Sequence, residues 1–141
     1  MADLQQTKEY YERDLNMQLE NLGPGHADVA STYNNLGSVQ HDMGNLQQAK
    51  ECYERALDIR LKKLGPEHAD VASMYNNLGT VQHDMSNLQQ AKEFFELALD
   101  ITLKKLGPEH ADVATTYNNL VAVQQDMGTC SRPKRTYDIP T

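Results

Sequence analysis

The chain has 141 residues, of which 39% are hydrophobic, and it carries a formal net charge of −7 at pH 7. This length suits one folded domain, and no segment approaches the roughly 20 consecutive apolar residues of a membrane-spanning helix. The negative charge disfavours nucleic acid, because phosphate binding requires a basic surface. We therefore expect neither a membrane nor a nucleic acid as partner.

The two cysteines and the start of the chain indicate a reducing compartment. Cys52 and Cys130 form no CxxC pair and do not recur with the internal repeat, which favours free thiols over a disulfide or a metal site. The opening segment MADLQQTKEYYERDL lacks the charged and then apolar order of a secretory signal. We expect a cytoplasmic protein that holds no metal and no other cofactor.

A period of 42 residues dominates the chain. Residues 22–63 return as 64–105 with eight substitutions, and the opening of the block returns from Leu106. Such similarity predicts equal units that stack on one another and present an extended surface. The predicted divisions are a half repeat 1–21, the repeats 22–63 and 64–105, a half repeat 106–128, and an irregular basic tail 129–141 that contains Arg132, Lys134 and Arg135.

In chain order, the spacing of apolar residues predicts about six helices. In the first helix of the repeat, Val29, Tyr33 and Leu36 are spaced by three or four residues, as on one face of a helix. No segment alternates with the period of two that strands require. We predict an all-α fold, an α-solenoid of stacked antiparallel helix hairpins. The predicted helices lie near 4–21, 26–43, 46–64, 68–85, 88–105 and 110–127.

Histidine and glutamine recur at two positions of the first helix that need explanation. His26, His68 and His110 directly precede the helix and could bond a free amide at its start, or pack on the previous repeat. Gln40, Gln82 and Gln124 fall midway along the apolar stripe, so we expect their amides to be buried and to bond a neighbouring helix.

The small and aromatic residues resemble the tetratricopeptide repeat, whose signature is an aromatic, Leu-Gly, a turn Gly, then Ala, an aromatic and Ala. The first copy has Tyr33, Leu36, Gly37, Gly44, Ala49, Tyr53 and Ala56, and the second has Tyr75, Leu78, Gly79, Ser86, Ala91, Phe95 and Ala98. The 42-residue unit with LGPEHADVA and YNNLG is most similar to kinesin light chain and nephrocystin-like arrays. The resemblance covers about residues 1–128 and departs at Val121, where the first two copies have Gly.

The resemblance implies a superhelix in which the first helices line a concave groove that holds a partner peptide. A polar stripe on each first helix would form that groove. Its asparagines suit the task, because one amide can both donate to and accept from an extended backbone. The candidate peptide-binding residues are Ser31, Asn34, Asn35, Ser38, Asp42, Ser73, Asn76, Asn77, Thr80, Asp84, Thr115, Asn118, Asn119 and Asp126, with Ala122 at the place of Thr80 in the third copy.

The charges of the first helices predict which peptides would bind. Residues 26–43, 68–85 and 110–127 contain no Lys or Arg, whereas each contains two Asp residues. A neutral to acidic groove favours basic or neutral protein segments. Within the family, binding of a terminal carboxylate or of acidic cargo motifs relies on basic groove residues, so both partner classes are disfavoured here.

Three alternatives compete with peptide binding. The asparagines could be structural, satisfying one another or nearby backbone. The chain could also be a self-assembling spacer, because Val113, Tyr117, Leu120 and Val121 would present apolar surface that the opening helix of another copy could cover head to tail. An enzyme is the third: the His-Asp dipeptides at 41–42 and 83–84 resemble those of metal-dependent phosphohydrolases, but the third copy has Gln-Asp and no further ligands converge.

Overall fold

The computed structural model describes residues 3–128, which form six α-helices and contain no strand. The predicted all-α fold and its helix number are therefore confirmed. None of the described helices is long and apolar enough to cross a membrane. The predicted basic tail and Cys130 lie outside the described residues. The helices are α1 (Leu4–Leu22), α2 (Ala27–Asp42), α3 (Leu46–Leu64), α4 (Ala69–Asp84), α5 (Leu88–Leu106) and α6 (Ala111–Asp126).

The helices belong to two compact units, which divide after Pro66. In the first unit, α2 packs against both α1 and α3. In the second unit, α5 packs against both α4 and α6, and α4 also contacts α6. Each unit has its own apolar core: Val29, Ala30 and Ile59 are buried in the first, and Phe95, Leu99 and Val123 are among those buried in the second.

A glycine on the first helix of each hairpin meets an aromatic ring on the second. A Cβ atom added to Gly37 would lie 2.8 Å from the Tyr53 ring, and one added to Gly79 would lie 2.6 Å from the Phe95 ring. Both rings are buried, at 4% and 1% exposure. The tetratricopeptide-like spacing of small and aromatic residues therefore corresponds to a close approach that only glycine allows without rearrangement.

The histidine before each first helix caps it. The Nδ1 atom of His26 accepts a hydrogen bond from the backbone N–H of Asp28 at 3.0 Å, and His68 and His110 do the same for Asp70 and Asp112. Each satisfies one of the amides that a helix start leaves without an intrahelical partner. Of the two roles predicted for these histidines, the bond to a helix-start amide is confirmed.

The buried glutamines bond the turn between the two helices of a hairpin. Gln40 Oε1 accepts from Asn45 Nδ2 at 2.8 Å, and Gln82 Oε1 accepts from Asn87 Nδ2 at 2.7 Å. Each asparagine is the residue immediately before the second helix. The predicted burial is therefore confirmed for Gln40 and Gln82, whereas Gln124 is half-buried. The partners of Gln40 and Gln82 are not on the neighbouring helix as predicted but in the turn just before it, so these bonds fix the turn.

Replacement of Gly79 by Ala tests the glycine contact. Overpacking of a core costs about 1–3 kcal/mol, whereas Gly→Ala in a helix regains about 1 kcal/mol. Because the Phe95 ring is enclosed, we expect Gly79→Ala to lower the free energy of unfolding in urea by up to about 2 kcal/mol. Combining it with Phe95→Leu should cost less than the sum of the two single changes. Additive losses would contradict a direct contact.

Removal of a histidine cap tests the helix starts. His68→Ala should lower the free energy of unfolding by about 1 kcal/mol, because the amide of Asp70 loses its acceptor. His68→Asn supplies an oxygen acceptor that is favoured at this position, so it should retain most of the stability. Equal losses in the two variants, measured by urea denaturation, would show that the hydrogen bond contributes nothing.

Cys52 should react slowly with thiol reagents. Burial, followed by the nearby Glu51 carboxylate, raises the pKa of the Cys52 thiol to about 11. At pH 8 only about a thousandth of it would be thiolate, the reactive form. In a Cys130→Ser background, we expect alkylation by iodoacetamide to be about a hundredfold slower in the folded protein than in urea, where the pKa returns to about 8.5. Equal rates in the two states would refute the raised pKa.

Candidate functional site

The second unit contains a concavity of about 450 Å³ along the polar faces of α4 and α6. Six of the predicted site residues line it, four from α4 and two from α6. They are Ser73, Asn76, Asn77, Thr80, Thr115 and Asn119. Helical spacing explains the grouping, since residues three or four positions apart share one face of a helix.

The paired asparagines of α4 have different roles. Asn76 Nδ2 donates a 2.8 Å hydrogen bond to Thr116 Oγ1, and Thr116 is fully buried on α6. The Oδ1 atom of Asn76 is also buried, and no described residue donates to it. Asn76 therefore has a structural bond between two helices, although its partner is a threonine side chain and not another asparagine or the backbone. Asn77 and Asn119 bring amides from two helices to the same concavity.

The hydroxyl groups of α4 are partly committed to their own helix. Ser73 Oγ donates to the carbonyl oxygen of Ala69 at 3.3 Å, and Thr80 Oγ1 donates to that of Asn76 at 3.0 Å. Such bonds to the preceding turn are common for hydroxyl side chains in helices. Each oxygen still has lone pairs and can accept a hydrogen bond from a ligand.

Two aspartates at the helix starts make the concavity acidic. Asp70 and Asp112 both line it, and no Lys or Arg does. They were not among the predicted site residues, although each stands three positions before one of them, Ser73 or Thr115, and so shares its helix face. Their backbone amides are the ones that His68 and His110 cap, which fixes the first turn that carries them.

The remaining predicted residues of the second unit do not line this concavity. Asn118 is exposed on α6, and Asp84 is exposed near the end of α4. Asp126 hydrogen-bonds with His83, which joins the ends of α6 and α4. The second His-Asp dipeptide thus has its histidine directed to an aspartate of another helix.

In the first unit, all five predicted residues lie on α2. Ser31, Asn35, Ser38 and Asp42 are exposed, and Asn34 is half-buried. Although Ser38 is exposed, its hydroxyl hydrogen-bonds with the side chain of Tyr53, which is buried. Burial raises the pKa of Tyr53 to about 12, with Asp42 adding to the effect and the Ser38 bond opposing it. Tyr53 therefore stays protonated at neutral pH.

The chemistry available in the described residues is hydrogen bonding and charge. Among them, no group of three or more His, Cys, Asp or Glu side chains is placed to hold a metal ion. The concavity offers amide, hydroxyl and carboxylate groups at an open polar surface. Such groups suit recognition of an extended chain better than activation of a nucleophile, which requires a base held against it.

Comparison with known proteins agrees with this architecture. The family profile described as Tetratricopeptide repeat matches residues 1–62, 28–104 and 70–131. The crystal structure of BtubC (BKLC) from P. vanneervenii has 25% sequence identity and a TM-score of 0.84, with 98% of this chain and 63% of that chain covered. A candidate kinesin light chain from Podosopora anserina with nearly identical TPR-like repeats has 24% identity and a TM-score of 0.82, with 89% and 59% covered.

These solved structures show that the α-solenoid prediction for the fold class is correct. The chain spans about 60% of the length of each of them. No curated protein sequence matches the chain significantly. Tetratricopeptide repeats generally mediate protein–protein interaction or scaffolding and are not catalytic modules. With three overlapping profile matches and the glycine–aromatic contacts of the hairpins in place, the chain belongs to the tetratricopeptide repeat family.

Proposed function

We propose that the chain binds an extended peptide segment of a protein partner along the polar faces of its first helices. The observation that carries this proposal is the position of Asn77 and Asn119, which contribute amides from two helices to one concavity. An amide can donate to a peptide carbonyl and accept from a peptide N–H. The amides of Asn77 and Asn119 can therefore both bond the backbone of a bound peptide, regardless of its side chains. The chain would then act as an adaptor or scaffold in the cytoplasm.

The charge of the concavity supports a basic or neutral peptide. Asp70 and Asp112 contribute carboxylates to its lining, and Lys and Arg are missing from that lining. An acidic segment would meet like charges there, whereas a lysine or arginine side chain would meet a compensating carboxylate. Because both aspartates are exposed, added salt should weaken this preference.

The alternative function, head-to-tail self-assembly, is less well supported. The apolar face expected on α6 is mostly covered: Val113, Tyr117 and Leu120 are no more than 5% exposed, so that expectation was wrong for these three. If α1 of another copy packed on α6 as α3 packs on α2, an aromatic ring of α1 would lie against Val121, where the earlier copies have glycine. It would bury Asp14 at the position of the fully buried Ala56, which is costly for a carboxylate.

Substitution of the two amides tests the proposal. Peptides are selected from a displayed random library on the full chain at low salt, and their affinities are compared between the wild type and the Asn77→Ala/Asn119→Ala variant. Each lost hydrogen bond is worth about 0.5–1.5 kcal/mol, so we expect the affinity of groove-binding peptides to fall about tenfold or more. Asn118→Ala is the matched control, because Asn118 is exposed and lies outside the lining.

The sequences of the affected peptides then test the charge preference. Peptides that lose affinity in the double variant should be basic or neutral, and Asp70→Asn/Asp112→Asn should weaken the basic ones most. Two results would reject the proposal. One is that no selected peptide depends on Asn77 and Asn119; the other is that the dependent peptides are predominantly acidic.

A further inference from the structure

A second concavity, of about 570 Å³, lies in the first unit, where the loop after α1 meets the last turns of α3. Its lining has both apolar and charged members. Leu22 and Ile59 are the main apolar contributors, while Lys62, Lys63 and Asp58 bring two positive charges and one negative charge. Gly25 lies in the loop at its edge. We call this concavity the Lys62 cleft.

The second repeat shows how the equivalent lysine is used. Lys104 stands at the position of Lys62, and Glu67 stands where the first repeat has Gly25. Lys104 Nζ lies 3.1 Å from Glu67 Oε1 and 3.2 Å from Asp100 Oδ2. The hydrogen bond that Lys104 donates to Glu67, followed by the one it donates to Asp100, raises the pKa of Lys104. In this repeat the loop supplies its own carboxylate to the lysine.

The first repeat lacks that carboxylate because Gly25 has no side chain. Among the described residues, no ion pair or hydrogen bond joins the Lys62 amine to a carboxylate, although Asp58 shares the lining one helical turn away. Apart from the adjacent residues of the chain, nothing lies within 4 Å of a Cβ built on Gly25, so the space beside the loop is open. The substitution of Glu by Gly therefore leaves a lysine without the partner that its repeat equivalent has.

We propose that the Lys62 cleft binds an acidic side chain of a protein partner. The partner's carboxylate takes the place beside Lys62 that the Glu67 carboxylate takes beside Lys104. Leu22, which is 44% exposed, gives an aliphatic neighbour of that acidic residue an apolar contact. The two lysines outnumber Asp58, so the net charge of the lining is complementary to the ligand.

This site is independent of the peptide-binding surface proposed above. The Lys62 cleft belongs to the first unit and the Asn77 concavity to the second, and they share no residue. Their charges are also opposite, because one lining contains two lysines and the other contains two aspartates without a basic residue. A partner that engages both would present a basic or neutral segment and a separate acidic one.

Calorimetry with a short peptide tests the proposal. The probe is the N-acetylated, C-amidated peptide Gly-Leu-Glu-Leu-Glu-Leu-Gly, titrated into the full chain at low salt, with the Glu→Gln version as its control. We expect the acidic peptide to bind at least about tenfold more tightly than the amide version, because charge-assisted hydrogen bonds to lysine require a carboxylate. Salt should weaken its binding, since the site is at the surface.

Two pairs of variants assign the binding to this cleft. Gly25→Glu restores the loop carboxylate of the second repeat, which should compete for Lys62 and lower the affinity for the acidic peptide at least about tenfold. Gly25→Gln is of equal size but uncharged, so its affinity for the peptide should stay within about twofold of wild type. Lys62→Gln should weaken binding similarly, whereas Lys104→Gln, at the equivalent and already paired position, should not. Circular dichroism verifies that each variant keeps its helices.

Several outcomes would overturn the proposal. They are the absence of measurable binding by the acidic peptide, equal binding of the Glu and Gln peptides, and undiminished binding in Gly25→Glu or Lys62→Gln. Loss of acidic-peptide binding in Asn77→Ala/Asn119→Ala would also overturn it, because binding would then belong to the other surface. None of these results bears on whether basic or neutral peptides use the Asn77 concavity.

Discussion

Contact between a glycine and an aromatic ring is the constraint on which both hairpins depend. Gly37 faces Tyr53 and Gly79 faces Phe95 at distances that leave no room for a Cβ atom. This contact sets the separation of the paired helices and fixes which side of each first helix is buried. The opposite side, a third to a half turn away, must then carry the polar residues. At the same position of α6 the chain has Val121, and no described second helix follows it there.

Duplication has preserved the backbone of the hairpin while single substitutions changed its chemistry. Tyr53 offers a hydroxyl to Ser38, whereas Phe95 at the equivalent position offers none. Thr116 accepts a hydrogen bond from Asn76 on another helix. The equivalent Met74 of the second copy has no hydroxyl with which to do so. Equal backbones thus differ in which polar atoms are satisfied internally and which remain available to a ligand.

The charged residues, like the other polar residues, differ between equivalent positions of the repeats. The helix starts that histidines cap also carry aspartates, and in the second unit Asp70 and Asp112 lie beside the amides of the concavity. Two lysines stand in the last turn of each of α3 and α5, where they complement the negative end of the helix dipole. Glu67 supplies a loop carboxylate to Lys104, whereas Gly25 supplies none to Lys62. One lysine therefore has an internal partner, and the equivalent one faces open space. The two proposed sites therefore differ in the charge of their linings.

The sequence alone determined the helices, because their signals are local. Every predicted boundary agrees within one residue, since the apolar period, the Leu-Gly-Pro breaks and the capping histidines all act over a few positions. Tertiary structure decided which polar groups meet. Asn76 and Thr116 are 40 residues apart in the chain, and only the packing of α4 on α6 makes them partners. Asn76 and Asn77 both line the concavity, but the same packing also gives Asn76 a partner on α6, Thr116, which no local sequence signal indicates.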